Sequence, residues 1–327
     1  MTTTATAPAA PPQPTGAKAR PRLIRAELLK IWTTNSWWVV GIAALATTAM
    51  ALLTNTSQAH FELQFAEENR NQPMPDFRPP PDAGFEGPSE EEIRQMEDSY
   101  RRSIDIGRIL VTSSANILTS GQFFGLLFIV VLGALVVTNE FHHQTATTTF
   151  LATPRRSRVV GAKLVAAVVL AGVFWGVTTV ANLAVGSIFF AVEGYSIPLT
   201  DWPVVRSVIM NLLAYVVWAV LGVGLGALIR SQLGATITGA AFYMLSYPIA
   251  FTFFGMVRTF IIKEDWVMNG IVLVPGVASQ IMISPEPIQI GFASGGPPWW
   301  TGALVLIGYG VVAGILGTLI LRQRDIS

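Results

Sequence analysis

The chain has 327 residues, of which 51% are apolar and only 13% are charged, about half the charged share of a typical soluble domain. A soluble protein of this length needs more polar surface than so few charges provide. The composition therefore argues for a protein that crosses a membrane several times. The net charge of +1 argues against a strongly basic nucleic-acid-binding protein. Because the chain has no cysteine, disulfides and thiolate metal sites are excluded.

The N-terminal region divides into two parts. Residues 1–21 are rich in Thr, Ala and Pro without apolar periodicity, which predicts a disordered cytoplasmic tail. From Pro21 to Trp32 the apolar residues fall near helical spacing, with Arg25 and Lys30 between them. This pattern predicts a short amphipathic helix on the membrane surface. The alternative is an ordinary basic flank of the first membrane span.

Six apolar segments have the length that a membrane span requires, about 20 residues. They are Trp37–Leu53, Gly121–Thr138, Leu164–Val192, Ser207–Ile229, Leu233–Val257 and Trp299–Leu321. None has a charged side chain in its interior, so no ion or proton path is marked. A seventh candidate, Trp266–Ser284, is interrupted by Pro275-Gly276. It is interpreted as two short helices that dip into the outer interface, with a seventh span as the alternative.

The distribution of basic residues predicts the orientation. With the N-terminus in the cytoplasm and six spans, the inner segments hold 12 basic and three acidic residues, and the outer segments hold nine basic and 17 acidic residues. Both termini are therefore expected in the cytoplasm, and the protein is expected in the cytoplasmic membrane. Tryptophans at the span ends, such as Trp37 and Trp38, are typical of the membrane interface.

The first outer loop, Thr54–Ser120, is long. Ser89 followed by Glu92 forms a capping-box pattern, which predicts a helix from about Glu90 to Ile109 that stands in water. Oppositely charged residues four apart support this helix, since such residues are neighbours on a helix surface. The pairs are Glu90 with Arg94, Glu97 with Arg101, and Asp98 with Arg102.

Motifs for catalysis or metal binding are missing from the sequence. It contains no Gly-Lys dipeptide, so the phosphate-binding loop of ATPases is absent. The adjacent His142 and His143 would point to different faces of a helix, and no metal site is expected. Glu140, beside them, is expected at a span end in water. Two G-x-x-x-G pairs, at Gly222 and Gly226 and at Gly310 and Gly314, are interpreted as packing contacts within the chain.

The first inner loop is the most informative segment. Glu140 ends a span, a Thr-rich stretch follows, and Pro154 and a basic cluster lead into the next span. The basic residues of this loop are Arg155, Arg156, Arg158 and Lys163. The pattern predicts a small cytoplasmic helix that lipid headgroups hold at the membrane and that a soluble partner can push. The alternative is an ordinary positive-inside loop.

This loop resembles the type-2 ABC exporter permease family, which has Glu, then Gly-Thr, then Pro-x-x-Arg, then Gly-x-Lys at the third span. The matching residues are Glu140, Thr145, Pro154, Arg158, Gly161 and Lys163, with Gln144 in place of the family's glycine. Three other segments resemble the family's N-terminal elbow helix, its outer re-entrant segment and its basic C-terminal end. They are Arg25–Lys30, Val274–Ala278 and Leu321–Asp325. The resemblance covers residues 22–327.

The resemblance implies an all-α polytopic membrane protein with six transmembrane helices, an elbow helix and the outer loop 54–120 inserted in a permease domain at 22–327. It implies a dimer with an identical or different permease, joined to separate ABC ATPase subunits that bind ATP and Mg. No cofactor and no catalytic residue is then expected on this chain, and no nucleic-acid partner. An amphipathic small molecule, drug, peptide or lipid is the expected substrate.

The resemblance also assigns roles to residues. Coupling to the ATPase is assigned to Glu140, Thr145, Pro154, Arg155, Arg156, Arg158 and Lys163. The elbow helix contributes Arg25, Glu27 and Lys30 and contacts membrane lipid. In the family the second and fifth spans line the pathway. Here the fifth span offers Tyr243, Ser246 and Tyr247, whose aromatic and hydroxyl groups suit an amphipathic ligand; ordinary helix packing is the alternative.

Two other classes of function stay open. A membrane sensor or assembly anchor would use Thr54–Ser120 as its working domain and would need no ATPase. A gated channel would conduct without ATP, but the spans offer no ring of charged residues.

Overall fold

The computed structural model describes residues 16–78, 87–142, 156–229, 231–288 and 296–323, and these residues are helical with short connections and without a strand. Six helical segments are long and apolar enough to cross a membrane. The all-α class and the number of candidate spans are therefore confirmed. Backbone polar groups explain this architecture, because in hydrocarbon they must be satisfied within the segment that carries them.

Two helices form the N-terminal part. Helix α1 is Gly16–Trp32, so it begins before the expected start at Pro21; residues 1–15 of the predicted tail lie outside the described part. Helix α2 is Ser36–Asn69, which is 34 residues and extends far beyond the predicted span end at Leu53. At about 1.5 Å per residue, roughly 20 residues cross the hydrocarbon. The last part of α2 therefore projects beyond it.

The predicted outer helix is divided in two. Helix α3 is Glu90–Ser103 and α4 is Ile106–Leu118. The capping box at Ser89 is confirmed: Glu92 N–H donates to Ser89 Oγ, and Glu92 accepts from Ser89 N–H. The break follows from Asp105, whose side chain accepts from Arg108 N–H and so starts a new helix.

Two of the three predicted side-chain pairs of α3 take a different form. Arg94 and Arg102 donate through Nε to the backbone carbonyls of Glu90 and Asp98. The Glu90 carboxylate instead contacts Arg78 at 3.3 Å. Exposed charges gain little from one fixed partner, so competing acceptors decide the geometry.

Four further spans follow along the chain. They are α5 (Gln122–His142), α6 (Arg156–Val192), α7 (Trp202–Leu228) and α8 (Gln232–Met256), the last continued by a π-helical turn, Val257–Ile262. A turn at Thr119–Gly121 separates α4 from α5. Gly121 has φ +81, and a Cβ there would lie 2.8 Å from the Thr48 backbone, so glycine is required.

The segment after α8 confirms two short helices around Pro275. A 3-10 helix, Asp265–Leu273, is followed by helix α9, Pro275–Ile283, with a bend of 100° between them. Pro275 begins α9 and favours the break, since proline fits the first turn of a helix but not its interior. The last span is α10, Trp299–Gln323.

The bundle core lies where α5 packs against α7. A Cβ on Gly222 would lie 2.3 Å from the Val130 carbonyl oxygen, and one on Gly133 would lie 2.6 Å from the Ala219 carbonyl oxygen. A Cβ on Gly310 would touch the Val217 side chain at 3.0 Å. Both glycine pairs therefore pack within the chain, as predicted, because small residues let two backbones approach closely.

A second, smaller core lies at the end of the bundle opposite to α1. The projecting part of α2 packs there against α4 and the end of α6. Its fully buried members include Leu63, Ile117 and Phe190. The described residues of the segment 54–120 are thus largely helical, and many of them pack on the bundle.

Candidate functional site

Four charged residues from three helices meet at the α1 end of the bundle. Glu27 and Lys30 come from α1, Glu140 from the last turn of α5, and Lys163 from the start of α6. Lys30 Nζ lies 2.9 Å from Glu27 Oε1 and 2.6 Å from Glu140 Oε1. Lys163 Nζ lies 2.9 Å from Glu27 Oε2 and 3.1 Å from Glu140 Oε1. Each lysine therefore bridges both carboxylates, and these four residues are called the charge cluster below.

Three members of the charge cluster are almost fully buried. Glu27, Glu140 and Lys163 are 3%, 5% and 3% exposed. The expectation that Glu140 sits in water was therefore wrong. Its carboxylate is held by two ammonium groups, and a buried charge is tolerated when it is paired and hydrogen-bonded. The two positive and two negative charges of the cluster compensate each other.

Lys30 differs from the other three because 44% of its side chain is exposed. Partial burial by itself lowers the pKa of Lys30, but the hydrogen bonds and negative charges of Glu140 and Glu27 outweigh this effect. The pKa of Lys30 is therefore raised from its ordinary value, and Lys30 stays charged at neutral pH.

The positions of these side chains on their helices allow the contacts. Glu27 and Lys30 are three residues apart on α1, so they share one face of the helix. Lys163 also donates to the Val136 carbonyl oxygen of α5 at 3.1 Å, which uses a further donor of its buried ammonium group. Glu140 and Lys163 flank residues 143–155, so the cluster ties both sides of this segment to α1.

The other predicted coupling residues lie outside the cluster or outside the described part. Thr145, Pro154 and Arg155 belong to residues 143–155, which the structure does not describe. Arg156 begins the backbone of α6, and Arg158 is half-buried in the same turn. Arg25, assigned to the elbow, is exposed on α1. The structure thus brings together Glu27, Lys30, Glu140 and Lys163 from the predicted set.

The three predicted pathway residues face different surroundings. Tyr243 is 2% exposed, with its ring 4.8 Å from Trp218. Ser246 donates its hydroxyl to the Tyr243 carbonyl at 3.0 Å, and Tyr247 is 52% exposed and stacks on Phe251. Within one chain these side chains do not share a surface. Their role in a pathway stays a prediction.

A set of contacts that the sequence did not predict lies at the opposite end. Arg206, 7% exposed, donates to the carbonyl oxygens of Ser284 and Pro285 at 2.6 and 3.1 Å, just after α9. Its guanidinium also lies 5.0 Å from the Trp299 ring centroid. Arg206 precedes the predicted fourth span by one residue, and α7 begins earlier, at Trp202. The sequence therefore places Arg206 in a loop, whereas the structure shows a buried charge on α7.

A second arginine fixes the same connection. Arg108 of α4 contacts the Glu286 carboxylate through two nitrogens, with Nε 2.6 Å from Oε1. Such a two-point contact is directional and holds both groups in one geometry. The segment after α9 is therefore attached to both α4 and α7.

Comparison with known families identifies residues 105–327 as matching the family described as "Protein of unknown function (DUF2705)". The match covers more than half of the chain, so the chain belongs to this family. It includes Glu140 and Lys163 but begins after α1. No curated protein matches the chain.

Proposed function

We propose that this chain is the membrane permease subunit of an ATP-driven exporter of the type-2 ABC kind, located in the cytoplasmic membrane with both termini in the cytoplasm. It works as a dimer with an identical or related permease, and a separate ATPase subunit binds ATP and Mg. Alternating access moves an amphipathic small molecule, drug, peptide or lipid. The charge cluster is the observation that carries the proposal.

The charge cluster supports the proposal because its ion pairs connect both ends of the inner loop to α1. Residues 143–155 would receive the push of the ATPase, and Glu140 and Lys163 stand on either side of them. Separating Glu140 or Lys163 from the cluster breaks buried ion pairs, and breaking a buried ion pair costs about 3–5 kcal/mol. A movement of this segment is therefore passed to α1, α5 and α6 together. Without these ion pairs, the loop could move without moving the spans.

Helix α8 supports the dimeric arrangement. In the segment Gln232–Ile262, which α8 begins, 11% of the most apolar part is buried within the chain, the lowest share among the six candidate spans. Tyr247 and Phe251 lie on its exposed part. This helix offers a surface for a second permease and for an amphipathic ligand, whose apolar part suits the rings and whose polar part suits the hydroxyls.

The first experiment isolates the tagged chain in mild detergent from its native host and identifies its partners by mass spectrometry. We expect an ATPase with a phosphate-binding loop in about equal amount, with vanadate-sensitive ATP hydrolysis. The variant Arg155→Glu/Arg158→Glu should lower this hydrolysis while the chain still inserts. The matched control Arg94→Glu/Arg101→Glu makes the same charge change on exposed residues of α3 and should leave hydrolysis unchanged.

Two outcomes contradict the proposal. One is the recovery of the chain without any ATPase, under conditions that preserve a known ABC complex. The other is unchanged hydrolysis and export in Arg155→Glu/Arg158→Glu.

A non-transport sensor or assembly anchor is the second candidate. The separate core at the end opposite to α1, formed by α2, α4 and α6, favours it, because a ligand or partner could bind this rigid layer. Deletion of α3 distinguishes the two candidates. The sensor or anchor would be the better explanation if two results came together. Deletion of Glu90–Ser103 would abolish the cellular function, and no ATPase would be isolated with the chain.

A further inference from the structure

A cleft of about 260 Å³ lies beside the charge cluster, between α1, the α1–α2 connection, α5 and α6. This volume is smaller than the roughly 300–1,000 Å³ of a site for a drug-sized molecule. A cleft of this volume can hold a small solute or one end of a longer amphiphile. Its two walls differ in chemistry, and this difference identifies the occupant.

One wall presents a cation. The side chains of Glu27 and Glu140 are only 4% and 7% exposed, whereas that of Lys30 is 44% exposed, so the ammonium is the charge that the cleft offers. Lys30 donates to Glu27 and Glu140. An ammonium has three donors, and within the described residues the third has no acceptor. An anionic oxygen in the cleft would complete its coordination.

The other wall is apolar. Leu132 and Leu135 of α5, Leu170 of α6 and Trp37 of α2 line the cleft next to the lysine. Trp37 donates its ring N–H to the Trp32 carbonyl at 3.1 Å, and Trp32 is itself 52% exposed. Paired tryptophans beside a basic residue are typical of the depth where lipid headgroups meet acyl chains.

We propose that this cleft binds one anionic phospholipid, with its phosphate against Lys30 and the beginning of an acyl chain along the wall of Leu132, Leu135, Leu170 and Trp37. The proposal rests on the proposed function only in taking the α1 end to lie at the inner membrane surface. The bound lipid fills the space between α1 and the spans and so keeps the charge cluster closed on its exposed side.

The test is native mass spectrometry of the purified full chain, titrated with phosphatidylglycerol or phosphatidylcholine of the same acyl chains. We expect one tightly bound phosphatidylglycerol and weaker binding of phosphatidylcholine. Lys30→Gln should weaken phosphatidylglycerol binding about fivefold, the effect of one basic residue at a lipid surface. Lys30→Arg should restore it. Arg94→Gln removes one positive charge from an exposed position of α3, away from the cleft, and should bind as the wild type does.

A second variant keeps the test decisive if Lys30→Gln does not fold. Thr33 is exposed and lines the cleft, so Thr33→Phe narrows it without changing the charge cluster and should weaken binding by a similar factor. Equal affinity for the two lipids, or equal loss in Lys30→Gln and Arg94→Gln, overturns the proposal. Displacement of the lipid by inorganic phosphate at the lipid's own concentration also overturns it, since a free anion would then be the ligand.

The lipid assay contains no ATPase, so its result is separate from that of the pull-down. Loss of the lipid site with an ATPase still recovered refutes only this inference. If the lipid binds at Lys30 but no ATPase is isolated with the chain, only the proposal of a transporter is refuted.

Discussion

Replacing Lys163 by methionine is the sharpest test of the charge cluster. The Lys163 ammonium contacts Glu27, Glu140 and the Val136 carbonyl, and the residue is 3% exposed. Methionine keeps most of the side-chain length but removes the charge. Of the two ammonium groups of the cluster, Lys30 then remains beside the two buried carboxylates. Removing one partner of a buried ion pair costs about 3–5 kcal/mol, and we expect a loss of unfolding free energy in this range.

Lys30→Gln is the matched control, because Lys30 contacts the same two carboxylates from the exposed side. Water reaches the cleft and replaces part of the lost ammonium, so the expected cost is only about 1–2 kcal/mol. The double variant Glu27→Gln/Lys163→Met removes one charge of each sign from the buried side. Since it leaves the Lys30–Glu140 pair, it should cost less than the sum of its two single variants by about 1–3 kcal/mol.

The assay is equilibrium unfolding of the full chain in mixed micelles, with a denaturing detergent as titrant and circular dichroism as readout. A loss below about 1 kcal/mol for Lys163→Met would contradict the reasoning, since a buried, bridging lysine could not be so dispensable. Strict additivity in the double variant would contradict it equally, because it would mean that the two side chains act independently.

Three further predictions follow from other contacts. Gly222→Ala places a Cβ against the Val130 carbonyl oxygen and should destabilise the bundle by about 1–3 kcal/mol in the same unfolding assay, whereas Gly172→Ala, with nothing within 4 Å of its Cβ, should not. Arg206→Met removes two charge-assisted hydrogen bonds, worth about 1.5–3 kcal/mol each, and should speed proteolysis after α9; equal cleavage in both proteins would speak against the tether. The hydrogen bonds from Ser89 lower the pKa of Glu92, so the cap stabilises α3 above the ordinary carboxyl value of 4.5 and is lost as the pH falls through the lower folded pKa. As the pH falls through this pKa, the amides of α3 should lose protection against hydrogen exchange in the wild type. Protection is measured relative to the exchange rate of an unstructured chain at the same pH. In Glu92→Gln the protection should not change with pH in this way.

The sequence by itself determined the class of fold and the number of candidate spans. Hydrocarbon thickness requires about 20 apolar residues, and any such segment must form a helix to satisfy its backbone. Local chemistry also determined the capping box at Ser89 and the break at Pro275, because both depend on residues that are neighbours in the chain. The glycine pairs indicated close helix packing, because two glycines four residues apart lie on one face of a helix.

The tertiary structure decided which charged residues meet. Lys30 and Glu140 are 110 residues apart, and Lys163 and Glu27 are 136 apart. Whether they touch depends on the rotation and axial position of α1, α5 and α6. Apolar residues surround most of these spans, so their sequence periodicity leaves the rotation open. Four of the residues chosen by resemblance meet in one cluster, but only packing shows Glu140 to be buried.

The same reason explains what was missed at the other end of the bundle. Arg206 lies at the start of a span, where sequence indicates only a flank; its burial comes from α9 and Trp299, which fold back onto it from about 80 residues later. The extension of α2 to Asn69 is likewise stabilised by α4 and α6 and not by its own apolar content. Composition determines that a segment is a helix in a membrane, whereas contacts between distant segments determine which of its polar groups become a site.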